Sequence, residues 1–340
     1  MSNWVLKGVK TLEDVAESVS ITSPTQVKVK VSHLMITDYD AMLYSGKIKT
    51  EYPIIPGRAA VGIITEVGEN CYGMEKGMRV YFKPTRACGS CLSCLGGKKR
   101  DCSTLKMAGR DFNGFLRDFV VCDQSEIAPL PQSVDEFKAL CIETIGIAEN
   151  IYNKLNLSAG QRVAVIGAGF DGNIIAQVLL YHKLIPIVID QDLAYLERAR
   201  NCGVYFTCEA NDNLTDFIVN TTSGDLCDAV VYCASSRLPL NTALDIAGFG
   251  KKVVLCSQTE FGSSLNAGKL FDKNLTVFGI NNAFTYTDTV INMLVNNAVN
   301  LDFFERETLT SFDPVALLEE RVNNMAESKE SVMKILKMVL

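Results

Sequence analysis

Histidine is nearly missing from this chain: His33 and His182 are the only two in 340 residues, against twelve cysteines. Long apolar runs are missing as well. None approaches the roughly 20 residues that cross a bilayer, so no membrane partner is expected. The first stretch, Met1 to Glu17, alternates apolar and charged residues and lacks the continuous apolar segment of a signal peptide. There is no basic excess; the formal net charge is -6 and the pI is near 5.2. Phosphate binding needs a basic face, so nucleic acid is not an expected partner. Internal repeats, low-complexity segments and long linkers are also absent.

What is present is an ordinary globular composition, 48% hydrophobic and 21% charged. A chain of this length exceeds one hydrophobic core and predicts two domains. In a secreted protein twelve cysteines would suggest disulfides. In an intracellular one, clustered cysteines more often hold metal and scattered ones are small core residues. Four are clustered here and eight scattered, and without an export signal the expected location is cytoplasmic.

Two textures divide the chain. Up to about residue 147, short strand-like runs broken by Gly and Pro predict a β-rich partial barrel. Gln26–Val31 (QVKVKV) alternates strictly, and Val61–Val67 is a second run. From 148 to 284, apolar strands alternate with helical stretches, as a doubly wound parallel sheet requires. Arg162–Ala168, Ile185–Asp190, Ala229–Ala234, Lys252–Ser257 and Leu275–Ile280 read as strands; Asn173–His182 and Leu193–Asn201 read as helices. The tail, 285–340, reads as helical with one short extended stretch and is expected to rejoin the first domain. The fold class is α/β, a β-rich partial barrel plus a Rossmann sheet.

Gly167-Ala168-Gly169-Phe170-Asp171-Gly172 is a GxGxxG between a strand and a helix, the context that gives this pattern its meaning. Gly167 would make the tight turn, Gly169 would let a pyrophosphate reach the backbone, and Gly172 would let helix and strand pack closely. Asp190 ends the next strand, 18 residues after Gly172. A carboxylate there bonds a ribose 2′-hydroxyl and repels a 2′-phosphate, so NAD(H) is the expected cofactor. The competing reading is a ligand-free glycine turn with a helix-capping aspartate.

Cys88-x2-Cys91-x2-Cys94-x7-Cys102 places four thiols within fifteen residues. Four thiolates close a tetrahedral zinc site with no open position, which staples a loop and does not catalyse. Gly89, Gly96 and Gly97 give the backbone freedom to wrap the ion. Free surface thiols are the alternative, and they oxidise readily.

These features together resemble the medium-chain zinc alcohol and polyol dehydrogenases, over essentially the whole chain. The cysteine spacing matches that family's structural-zinc lobe, Val61–Gly68 (VGIITEVG) resembles its turn, and Lys76-Gly77-Met78-Arg79-Val80 its K-x-G-D-R-V segment. The resemblance implies a GroES-like first domain. It also implies a homodimer or homotetramer, with Leu275–Ile280 as the strand often used for pairing. It further implies a catalytic zinc held by a Cys, a His-Glu pair after a Gly, and a further Cys or Glu. Here the Cys position falls at Met35, the His at Arg58, the Glu at Ala59, and the last at Glu143. His33, which alternates with Val31, and His182, late in a helix, read as structural and do not substitute. A thioether and a guanidinium do not replace a thiolate and an imidazole. The second zinc is therefore expected to be missing, with Arg58 in its place and Glu143 as its ion-pair partner.

The family's hydroxyl that contacts the substrate oxygen falls at Thr37, and its relay histidine near Asp40. The candidate catalytic residues are thus Thr37, Asp40, Arg58 and Glu143, with Tyr39, Arg110 and Asp111 as possible pocket lining. Each also has a structural reading, Thr37 and Asp38 as a turn cap, Arg58 and Glu143 as a structural pair. The expected activity is NAD(H)-dependent interconversion of an alcohol and a carbonyl on a polyol, sugar or sugar phosphate. The alternatives are a zinc-free enone or quinone reductase and a nicotinamide-binding protein with decayed catalysis.

Overall fold

The computed structural model describes residues 2–234, 238–256, 264–283, 286–327 and 332–338. Ser257 and the expected boundary at 284–285 lie outside the described residues. Nine strands precede residue 130: β1 Ser2–Gly8, β2 Thr11–Ala16, β3 Gln26–Met35, β4 Ala59–Val67, β5 Arg79–Phe82, β6 Thr85–Arg86, β7 Lys106–Met107, β8 Phe119–Asp123 and β9 Ile127–Pro129. Six follow: β10 Arg162–Ile166, β11 Ile185–Asp190, β12 Phe206–Glu209, β13 Cys227–Tyr232, β14 Ala247–Leu255 and β15 Thr276–Gly279. The tail adds β16 Arg306–Leu309 and β17 Met333–Lys337. The chain divides into two compact units, Met1–Glu143 with Thr287–Val295 and Glu305–Leu340, and Thr144–Tyr286 with Asn296–Phe304.

In the first unit the sheet runs β16-β17-β3-β4-β5-β9, with β8 also paired to β3. The alternation of β3 does what its pattern requires: Val27, Val29, Val31 and Leu34 are fully buried, while the intervening residues stay partly exposed. They meet Ala60 and Ile64 of β4, Val80 and Phe82 of β5, and Leu336 of β17 in one apolar cluster. The register of β3 against β4 sets Met35 opposite Ala59. The tail departs from the sequence expectation: its described residues carry two strands, not one, and β17 pairs antiparallel with β3, Ile335 opposite Met35. Short strands of mixed burial have too few alternations to stand out from the surrounding helical pattern.

In the second unit the sheet order is β12-β11-β10-β13-β14-β15, every pair parallel. Its strands are apolar throughout because both faces are covered; Val163 to Ile166 and Ile187 to Ile189 are fully buried. The strand order reverses between β10 and β13, and ligands of such sheets bind at the carboxyl ends of the strands at that switch. β12 escaped the sequence reading, since FTCE is short and half polar. Among the described residues no helix is long and apolar enough to cross a membrane.

Candidate functional site

The first unit gathers a polar cluster at the end of β3 and the start of β4. Pro56-Gly57 leads into Arg58 and Ala59, and Gly57 is required there: its φ is +97°, and a Cβ would lie 2.7 Å from the Leu116 nitrogen and from Leu34 Cδ1. Arg58, with a side chain 11% exposed, forms a fork-to-fork pair with Glu143, 9% exposed. Arg58 Nε donates to Glu143 Oε2 at 2.9 Å, and Nη2 donates to Oε1. The bidentate geometry is the arrangement in which a buried pair recovers its desolvation cost. Burial would lower the Arg58 pKa, but the charge and hydrogen bonds of Glu143 hold it above the usual arginine value. The guanidinium also lies over the Tyr39 ring, 4.7 Å from its centroid. The Tyr39 hydroxyl is buried with no hydrogen-bond partner. Tyr81 on β5 sits in the same field; burial, then the Glu143 charge, push its pKa well above the ordinary value, which keeps it neutral.

Thr37 and Asp40 begin the helix Asp38–Tyr44 as a capping box. The Thr37 hydroxyl donates to Asp40 Oδ2 at 2.6 Å, and the Thr37 backbone N–H donates to the same oxygen at 2.9 Å. The other Asp40 oxygen accepts from the Gly57 N–H at 3.0 Å, tying the helix start to the loop that carries Arg58. Both readings of Thr37 therefore meet in one place: the hydroxyl is spent on the cap and its proton already points at a buried carboxylate. Arg110 and Asp111 pair with each other, Nη2 to Oδ2 at 2.8 Å, and their charges reach Tyr39. His33, on β3 opposite Val61, is partly buried and its pKa is lowered by burial. In the second unit His182 stacks on Tyr152 at 3.6 Å and meets Glu149 Oε1 at 2.6 Å, a structural role.

Burial pushes the Asp40 carboxyl above its ordinary 3.8, against the opposing hydrogen bonds of Thr37 and Gly57. Such a group holds its proton more tightly folded than unfolded. Its stabilisation is complete below 3.8 and is lost as pH rises through the higher folded value. Asp40→Asn, which cannot ionise, is therefore expected to gain stability relative to wild type as pH is raised from about 4. Denaturation of both proteins across a pH series checks this; a difference that is flat or falls with pH would contradict the raised carboxyl.

The cysteine lobe is compact. The ligand atoms of Cys88, Cys91, Cys94 and Cys102 all lie within 4.8 Å of one another, with Cys88 Sγ 3.9 Å from Cys94 Sγ and 3.5 Å from Cys102 Sγ. A tetrahedral zinc with bonds of about 2.3 Å needs sulfurs about 3.8 Å apart, so the four fit that ion. Hydrogen bonds from the Thr104 hydroxyl and from Ser90 and Cys91 draw the Cys88 thiol down to about 5, toward the thiolate that ligates. No second group of three or more candidate ligands occurs among the described residues, and Met35, Arg58 and Ala59 offer none.

In the second unit the glycine loop turns tightly from β10 into the helix Phe170–Tyr181. Gly167 has φ +100° and donates to Ile189 O at 2.8 Å. A Cβ on Gly172 would lie 1.8 Å from Gly167 O, whereas one on Gly169 would meet nothing within 4 Å. Gly169 is the N-cap of helix Phe170–Tyr181 and supplies no side-chain cap, which leaves the helix N-terminus open to an anion. Phe170 packs edge-on against Phe304 at 5.0 Å, and Asp171 sits in the first turn. Asp190 is buried; its Oδ2 accepts from Ala168 N at 2.7 Å and its Oδ1 from Asp192 N at 2.9 Å. The carboxylate thus braces the loop, a role the sequence does not display.

A GroES-like barrel with a four-cysteine lobe, followed by a parallel sheet entered through GxGxxG, is the fold of the medium-chain dehydrogenases and reductases. Residues 23–132 match the alcohol dehydrogenase GroES-like domain. A sorbitol dehydrogenase of Halalkalibacterium halodurans is 27% identical over 261 residues, 75% of this chain and 76% of its own. The starvation-sensing protein RspB of Escherichia coli is 27% identical over 281 residues, 82% of this chain and 83% of its own. Among solved structures, galactitol-1-phosphate dehydrogenase from Escherichia coli superposes with a TM-score of 0.84 at 21% identity, over 99% of this chain and 100% of its own. The chain is thus similar over most of its length to zinc-type alcohol and polyol dehydrogenases, and it is an oxidoreductase.

Proposed function

We propose that this chain is an NAD(H)-dependent oxidoreductase that interconverts an alcohol and a carbonyl on a polyol, sugar or sugar phosphate without a catalytic zinc. The observation that carries the reading is the buried Arg58–Glu143 pair at the positions where the family holds its second metal. The sorbitol dehydrogenase and galactitol-1-phosphate dehydrogenase relatives support the substrate class. Asp190 at the end of β11 supports NAD(H) over its phosphorylated form, because like charge repels a 2′-phosphate. When bound, the nicotinamide supplies or accepts the hydride.

The chain's own groups then divide the remaining work. Arg58, held fixed by Glu143, stabilises negative charge on the substrate oxygen, a task a Lewis acid performs in metal-dependent relatives. Thr37 passes a proton between that oxygen and Asp40 Oδ2, along the hydrogen bond it already makes. Cys88, Cys91, Cys94 and Cys102 hold a zinc that staples their loop.

Two measurements test this. NADH titration by fluorescence, followed by turnover on a panel of polyols, sugar phosphates and enones, is expected to show binding and polyol or sugar-carbonyl turnover. Turnover confined to enones, or tight binding with no turnover, would reject the reading. Gly172→Ala is expected to weaken NADH binding by about 5- to 150-fold, since the methyl must force Gly167 O aside at a strain of about 1–3 kcal/mol. Wild-type affinity in that variant would move the dinucleotide elsewhere.

A further inference from the structure

Two of the scattered cysteines are not isolated. Cys233 follows β13 and Cys256 follows β14. The register sets Tyr232 opposite Leu255, so the two cysteines are the next facing pair. Cys256 N donates to Tyr232 O at 3.1 Å, which continues the parallel ladder to them. Their sulfurs are 3.0 Å apart, and both residues are half-buried. Neighbouring strands lie about 4.8 Å apart, inside the Cα separation that a disulfide spans. A shift confined to the two strand ends is enough for the bond to form.

The pair also stands against the glycine loop. Cys233 N donates to Ile166 O at 2.8 Å, one residue before Gly167. A Cβ on Gly167 would lie 3.1 Å from the Cys233 carbonyl carbon and 2.9 Å from Ala234 N. The turn that receives a pyrophosphate therefore rests on the backbone of Cys233 with no slack.

We propose that Cys233 and Cys256 are a modification site, a dithiol that a hydroperoxide converts to a disulfide, and that this oxidation weakens dinucleotide binding. The effect on binding rests on the NAD(H) reading above; the oxidation does not. The Cys256 thiolate attacks the terminal oxygen of the hydroperoxide, the O–O bond breaks, and an alcohol (water, from hydrogen peroxide) leaves. The sulfenic acid so formed is attacked by the Cys233 sulfur; the S–S bond forms and water departs with the Cys233 proton. Two electrons pass from the thiols to the peroxide, and a dithiol reductant reverses the change. Hydrogen bonding to Cys256, then burial, hold the Cys233 thiol well above its ordinary pKa, which suits it to the second step rather than the first. Shortening the sulfur contact to about 2.05 Å draws the strand ends together and displaces the Cys233 backbone under Gly167.

The test uses the full zinc-loaded chain treated with hydrogen peroxide, alkylated, and digested without reduction for mass spectrometry. The expected result is a Cys233–Cys256 cross-linked peptide pair and a fall in NADH affinity of at least about fivefold, reversed by dithiothreitol. Cys256→Ser, outside the binding machinery, should give neither change. Alkylation of both thiols after treatment, or cross-linking to other cysteines, would overturn the proposal. A Cys233–Cys256 link with unchanged NADH affinity would overturn its coupling to the cofactor. If the reduced wild type binds no NADH, the dinucleotide reading fails instead, and the cross-link alone decides the dithiol.

Discussion

Glu143→Gln is expected to destabilise the first unit by about 3–5 kcal/mol, because it leaves the Arg58 guanidinium buried without its counter-charge. Arg58→Met should cost a similar amount by stranding Glu143. The double variant Arg58→Met with Glu143→Leu is expected to recover most of that loss, since removing both charges removes both desolvation penalties. The single tryptophan, Trp4 on β1, belongs to the same unit, so its fluorescence follows the unfolding that matters. Turnover separates the structural from the catalytic role. If Arg58 stabilises charge on the substrate oxygen, Arg58→Met and the recovered double variant should both lose about 10²–10³ in kcat. A stable double variant with wild-type turnover would leave the pair as a purely structural filler.

The second large effect is expected at the lobe. Protein purified without added metal should carry one zinc per chain, and Cys94→Ser should carry none. The lobe buries little apolar surface: Leu92 is 90% exposed and Leu95 72% exposed. Apparent zinc binding of about 10 kcal/mol or more is a large term for ordering such a segment. Hydrogen exchange across residues 86–107 should therefore rise toward unprotected values in the variant and in chelated wild type. Elemental analysis gives the opposing outcome directly. Two zincs, one of which survives Cys94→Ser, would place a second metal outside the lobe and end the zinc-free reading.

Some features were legible in the sequence because they are written in neighbouring residues. β10, the glycine loop, helix Phe170–Tyr181 and β11 are contiguous, and Gly167 and Gly172 each answer a local steric demand. The four lobe cysteines span fifteen residues, so their spacing alone brings their sulfurs together. The β3 alternation fixes which of its faces is buried. Arg58 and Glu143 are individually visible, but 85 positions separate them. Only the fold brings the end of the β3–β4 pair to the helix that carries Glu143 and gives the pair its fork geometry. Asp190 as a brace for Ala168, Asp40 as a link between Thr37 and Gly57, and β17 beside β3 depend equally on tertiary placement. So does the meeting of Cys233 with Cys256, which the register of β13 on β14 decides. Local sterics and periodicity specify what a segment becomes. Which distant charges and thiols share a buried space is settled by strand register and packing, which no single segment encodes.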